Sequence, residues 1–181
     1  GNTGVGYRVG RENVGDDNTF MGAFAGYSST SADGSVGIGF NACGGTGTMT
    51  GNSNTAVGFY AGTDLTSANN TTIVGASAGL NVTSSDQSTF VGASSASASA
   101  VTGNRNNAFG YLAGEDLTSG TNNVFMGSYS GKGISTGISN TVCGEAALIT
   151  ESSGDKNTAI GAEALKAQNG GRDGNVAVGY Y

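Results

Sequence analysis

The side chains in this sequence that could do chemistry are few, and their spacing works against most of it. None of the 181 residues is histidine, which removes Ser-His-Asp and Cys-His nucleophile systems and any His-ligated metal. The acids that fall close together, Asp16-Asp17, Asp64 and Glu115-Asp116, read as solvated turn residues. Nothing sets two carboxylates across a cleft, as glycoside hydrolysis requires. The Gly-Gly-x-Gly-x-Asp register of a calcium-binding β-helix is also missing. Gly-x-Gly words such as Gly37-Ile38-Gly39 carry neither a following helix nor a lysine, so they make no phosphate loop. The seven basic residues are scattered and the net charge is -6, whereas nucleic-acid backbones are bound by a basic stripe. No apolar run reaches the length of a membrane helix. The expectation is a chain that is not an enzyme, with no cofactor, no metal, and neither nucleic acid nor membrane as partner.

The elements that would have to position any site are set by a repeat. Asn54-Thr55-Ala56-Val57-Gly58 and Asn157-Thr158-Ala159-Ile160-Gly161 are near-copies, and anchoring on their glycine finds eleven copies. The anchors are Gly6, Gly22, Gly39, Gly58, Gly75, Gly92, Gly110, Gly127, Gly144, Gly161 and Gly179, spaced 16 to 19 residues apart. The period spans residues 1–181, so the chain reads as a single repeat domain and as a segment of a longer fibre.

A short word rich in Thr, Val and Ile, opened by Asn and closed by Gly, is a strand between turns. Thirty-four glycines, no proline and a Leu-Ile-Val-Phe content under a fifth leave little for a conventional core. Stacking copies at ~4.8 Å aligns like residues in columns and pairs each backbone with its neighbours. The pattern therefore predicts an all-β fold, a parallel β-solenoid of about eleven ~17-residue coils, forming a rod roughly 50 Å long.

Alternation assigns the columns to faces. Immediately before the anchor lie Val5, Met21, Ile38, Val57, Val74, Val91, Phe109, Met126, Cys143, Ile160 and Val178, all apolar. This column is expected to form the coil interior together with the Thr/Val column two residues earlier. An Ala column three residues past the anchor is expected on a second, tighter strand. The opposite strand face is apolar too, with Phe20, Ile73, Phe90, Phe125 and Val142 among Gly and Ala. One solenoid has one interior, so this second face is expected to be an intersubunit core. The aromatics after the anchor, including Tyr7, Phe24, Phe40, Phe59, Tyr60, Tyr111, Tyr129 and Tyr181, are expected to stack between coils at the edge of the roll. Cys143 reads as a small core hydrophobe and Cys43 as the replacement of a turn glycine. They lie six coils apart, roughly 29 Å at one strand spacing per coil, too far to pair within one chain.

The run Asn-Thr-Ala-Val/Ile-Gly, followed by an Ala-Gly or Ala-Leu pair, resembles the repeats in YadA-like heads of trimeric autotransporter adhesins. It equally resembles the repeats of bacteriophage tail fibres. The resemblance covers the full chain. It implies a left-handed β-roll packed side by side as a homotrimer. The period here is longer than in the adhesin heads, with the extra residues expected in loops such as 46–51 and 65–70, which favours the tail-fibre comparison. The implied role is a structural, extracellular fibre segment, on a virion or a cell surface, that supports host attachment. Its partners would be flanking fibre domains and a cell-surface glycan or receptor. The alternatives are an adhesin head and a single-chain solenoid that forms filaments or binds ice through its threonine column.

Overall fold

A computed structural model describes residues 1–45, 47–168 and 170–180. Thr46, in one of the loops noted above, and Tyr181, in the aromatic series, lie outside the described residues. Each repeat word forms a three-residue strand: β1 (Thr3–Val5), β2 (Thr19–Met21), β3 (Val36–Ile38), β4 (Thr55–Val57), β5 (Thr72–Val74), β6 (Thr89–Val91), β7 (Asn107–Phe109), β8 (Val124–Met126), β9 (Thr141–Cys143), β10 (Thr158–Ile160) and β11 (Val176–Val178). All eleven pair in parallel in chain order within one sheet. The register aligns like columns, as in Thr72 with Thr89, Ile73 with Phe90 and Val74 with Val91. No helix occurs among the described residues. The fold is an all-β parallel solenoid of about ten turns, as the period predicts.

The anchor glycine is fixed by two constraints. Its φ lies between 124° and 144° in every copy, a region L-residues rarely adopt. At each of the ten anchors from Gly6 to Gly161, an added Cβ would also come within 3 Å of the next anchor's carbonyl group. The glycines thus let successive coils approach at one strand spacing, while their N–H groups continue the ladder, as in Gly75 N donating to Val57 O at 2.9 Å.

The strand faces are the reverse of the sequence expectation. Phe20, Ala56, Ile73, Phe90, Phe125, Val142 and Ala159 are fully buried within one chain. The residues expected to form an intersubunit core (Phe20, Ile73, Phe90, Phe125 and Val142) therefore line the coil interior. The column expected inside points outward: Val5, Met21, Phe109, Met126, Cys143, Ile160 and Val178 are exposed, and Ile38, Val57, Val74 and Val91 are half-buried. Cys143 is accordingly a surface thiol, and only Cys43 is a core one; both are unpaired.

The reversal follows from what stands beside the strand. The asparagine four residues before the anchor has the same parity as the Phe20–Phe125 column, and it is buried in a ladder. Asn106, Asn123, Asn140 and Asn157 are solvent-inaccessible. Asn140 Oδ1 accepts the backbone N–H of Asn157 at 2.9 Å and its Nδ2 at 3.1 Å. Asn140 Nδ2 donates to Asn123 Oδ1 at 3.0 Å and to Gly154 O at 2.8 Å. Each amide thus ties one coil to the next and also spans its own coil. The left-handed residue of this corner is the one before the asparagine, such as Asn122, Ser139 or Lys156.

Two further columns line the interior. The Ala column (Ala25, Ala61, Ala78, Ala113, Ala147) is buried as expected, but it sits in a turn and not on a second strand. It lies between residues of positive φ two and four past the anchor, such as Tyr60 and Gly62. Seven residues past the anchor in regular coils lie Leu65, Val82, Leu117, Ile134 and Glu151, all buried. In longer coils Met49 and Val101 take this place, bridged to Ser29 and Val82. Leu65 and the buried Ala68 are therefore core residues and not part of a variable loop.

Candidate functional surface

The acids singled out in the sequence are not brought together across a cleft. Asp16 and Asp17 stay at an exposed corner. Asp64 is half-buried on its own turn. Glu115 pairs with Lys132, 2.9 Å away. Burial, reinforced by the adjacent Glu115 and opposed by Lys132, pushes the pKa of Asp116 up. No group of three or more His, Cys, Asp or Glu side chains is arranged to hold a metal among the described residues. An opening of about 530 Å³ lies at the C-terminal end of the roll and one of about 190 Å³ at its N-terminal end, and among the described residues no carboxylate lines either.

One acid is placed unusually. Glu151 follows Leu117 and Ile134 in the column seven past the anchor and is fully buried. Its Oε1 accepts backbone N–H groups from Ser152, Ser153, Gly154 and Gly171 at 2.9–3.1 Å. Burial alone would push its pKa up. The four donors outweigh that and hold it below the ordinary carboxylate value. The charge is used locally, to hold the backbone of residues 152–154 and of the following coil at Gly171.

The surface that the fold makes continuous is the outer face of the sheet. Two columns run along it from β1 to β11. One is Thr3, Thr19, Val36, Thr55, Thr72, Thr89, Asn107, Val124, Thr141, Thr158 and Val176. The other is the outward apolar column from Val5 to Val178, half-buried from Ile38 to Val91 and exposed elsewhere. No position in either column is charged. Val5 is 55% exposed, Met126 48% and Val178 74%.

Beside this face, at the corner after the anchor, aromatic rings from successive coils touch. Ring centroids are 5.5 Å apart for Tyr7 and Phe24, 5.9 Å for Phe24 and Phe40, and 5.5 Å for Phe40 and Phe59. Phe59 and Tyr60 meet edge to face at 4.5 Å. The expected intercoil stacking is present. Compared with protein-family models, curated proteins and solved structures, the chain matches none.

Proposed function

We propose that this chain is a structural, non-enzymatic segment of an extracellular fibre, in which three rolls pack side by side through the outer Thr/apolar face. What carries the reading is the uncharged strip along all eleven strands. At one coil per ~4.8 Å the strip is roughly 50 Å long, and a soluble monomer rarely exposes so extended an apolar patch. Of the two apolar strand faces, the inward one is filled within the chain, so the outward one is the face that another copy would cover. The mechanism is mechanical: cooperative stacking makes a stiff spacer with its strand edges paired along the rod. The owner best matching the longer period is a bacteriophage tail fibre, ahead of a trimeric adhesin head. Such a segment would hold a binding tip away from the virion or cell.

One observation favours a second reading. Thr3, Thr19, Thr55, Thr72, Thr89, Thr141 and Thr158 lie on the outward face, which is the arrangement a single-chain ice-binding solenoid needs. Phe109 and Met126 project from the same face and break its flatness.

The test substitutes aspartate on each face. Val74→Asp with Val91→Asp should leave the β-sheet circular dichroism intact and convert a trimer to a monomer by light scattering. Ile73→Asp with Phe90→Asp should abolish folding. A parent protein that is monomeric at micromolar concentration overturns the trimer. Thermal hysteresis from that monomer would establish the ice-binding reading instead.

A further inference from the structure

The outer strip is edged by two further columns, and their residue sizes are inversely related. One stands five residues before the anchor glycine, where the chain enters the strand. The other stands one residue past the anchor, where the chain leaves it. At β3, β4 and β11 the leaving edge carries a ring (Phe40, Phe59 and Tyr180) and the entering edge is small (Gly34, Ser53 and Gly174). At β2, β5, β6 and β10 the leaving edge is alanine (Ala23, Ala76, Ala93 and Ala162) and the entering edge is longer (Asp17, Asn70, Gln87 and Lys156). Asn122 goes with Ser128 at β8, and Ser139 with Glu145 at β9. From β2 to β11, β7 alone sets two large residues at one level, Arg105 and Tyr111, and a guanidinium stacks on a tyrosine ring.

The two edges do not meet within one chain. The ladder runs from the residue four before the anchor to the anchor itself, as in Thr141 N donating to Asn157 O and Gly161 N to Cys143 O, which is roughly 13 Å of extended chain. The Thr/Val and apolar columns stand in between. Nor does the fold set the sizes. From Asp17 to Gly174 every residue of the entering edge has a φ of 54–69°, where a long side chain costs stability relative to glycine. Gln87, Arg105 and Lys156 nevertheless stand there, all exposed, and among the described residues no side-chain hydrogen bond or ion pair engages them. The leaving edge needs no ring either. At Ala76 the corner keeps its hydrogen bond, Ser77 N donating to Phe59 O at 2.8 Å, as Tyr60 N does to Phe40 O at 2.9 Å.

A match in size between edges that do not touch within the chain points to contact across a boundary between copies. A copy turned about an axis parallel to the rod presents its leaving edge to the entering edge of its neighbour at the same level, so each pair falls opposite. We propose that the entering edge of each roll seats on the leaving edge of the next, level by level, with Phe40 and Phe59 over the neighbour's small residues, Gln87 over its alanine, and the Arg105 guanidinium on Tyr111 of the neighbouring copy. The partner that covers the aromatic corner is thus a second copy of this chain. The inference rests on the side-by-side trimer and deepens it: the outer strip supplies the apolar contact, and the edges fix the relative height of the rolls. A slip of one coil, ~4.8 Å, would bring Asp17 onto Phe40 and Gln87 onto Tyr111. A contact of one edge with a different edge, made at a single level, closes as a ring.

The test exchanges sizes between the edges. Gly34→Gln and Phe40→Ala are made singly and together, so that the double variant recreates the Gln87 and Ala93 pair at β3. Gly34→Gln should fold, because Gln87 holds φ 54° against 63° at Gly34, and a Cβ added at Gly34 meets nothing nearer than Ser53 Oγ at 3.7 Å. Gln87→Gly with Ala93→Phe is the reciprocal exchange at β6. Assembly is followed by sedimentation over a dilution series, with urea unfolding of the diluted monomers as the control for folding. Gly34→Gln and Ala93→Phe should each weaken assembly at least tenfold, and each double variant should return to within threefold of the parent. In the monomers the same substitutions should simply add, because the sites are apart within one chain. A trimeric parent in which the losses of assembly also add, or in which Gly34→Gln and Ala93→Phe leave assembly unchanged, overturns the edge pairing and leaves the trimer standing. A monomeric parent overturns both.

Discussion

The ring of Phe125 and the α-carbon of Gly131 share one space: a methyl group added at Gly131 would fall within 3 Å of the ring. Gly114 of the preceding coil confines the opposite edge of the same ring, and Gly26 and Gly37 confine Phe20 in the same way. Volume is traded between the inward strand position and the position four past the anchor. Where the strand residue is Gly37, that second position holds Cys43, and where Ala159 follows Val142 it holds Leu148; both are buried.

Gly131→Ala should therefore be costly twice over. The residue sits at φ 56°, and the methyl overpacks the core, which typically costs 1–3 kcal/mol, so the sum is roughly 2–4 kcal/mol. Urea unfolding should show the loss. Phe125→Val should recover part of it in the double variant, giving a non-zero coupling energy. Additive losses would mean the two positions do not share volume.

The asparagine ladder is the second stability prediction. Asn140→Ala strands the buried backbone N–H of Asn157 and carbonyl of Gly154, which Asn140 now satisfies. Leaving such groups unpaired costs about 1–3 kcal/mol each. Unfolding midpoints should fall accordingly, and amide exchange at Asn157 should rise. Asn122→Ala at the exposed neighbouring corner should change stability by less.

Period, strand words, parallel register and the absence of helix among the described residues were legible because Gly, Asn and the apolar column recur in fixed places. The direction of the strand faces was not, because both faces are apolar and size alone pointed the wrong way. Two signals in the same letters carry the answer. The Asn18–Asn157 column shares parity with Phe20 and Phe125, and a buried amide ladder belongs inside. The inward column also varies from Gly37, beside Cys43, to Phe125, between Gly114 and Gly131, as a close-packed interior must. The column of Leu65, Val82 and Leu117 stayed hidden because insertions near Met49 and Val101 break its spacing. Glu151 gave no sequence signal, since its donors are backbone groups.

Glu151 makes stability depend on pH. Its folded-state pKa is depressed, so its contribution is present above the ordinary 4.5 and is lost as pH falls through the lower folded value. Glu151→Gln keeps the shape but removes the charge on four N–H contacts, and it should destabilise the fold by about 1–3 kcal/mol at pH 7. The gap between parent and variant should narrow as urea melts are repeated from pH 6 towards pH 3. A constant gap would mean the carboxylate is not held ionised by these donors.

The two thiols report on the outer face. Cys43 is buried, and burial pushes its pKa to about 12, so it should resist alkylation at pH 8 in any folded state. Cys143 lies on the outer face between Met126 and Ile160 in the ladder. In the parent assembly a trimer packed on this face should shield Cys143. In the Val74→Asp, Val91→Asp variant the thiol should label rapidly, while Cys43 stays unmodified until denaturant is added. Intact-mass analysis would then show one adduct per dissociated chain and two after unfolding. Equal, fast labelling of Cys143 in parent and variant would mean the strip from Val5 to Val178 faces water in both, and the packing of three rolls through it would be excluded.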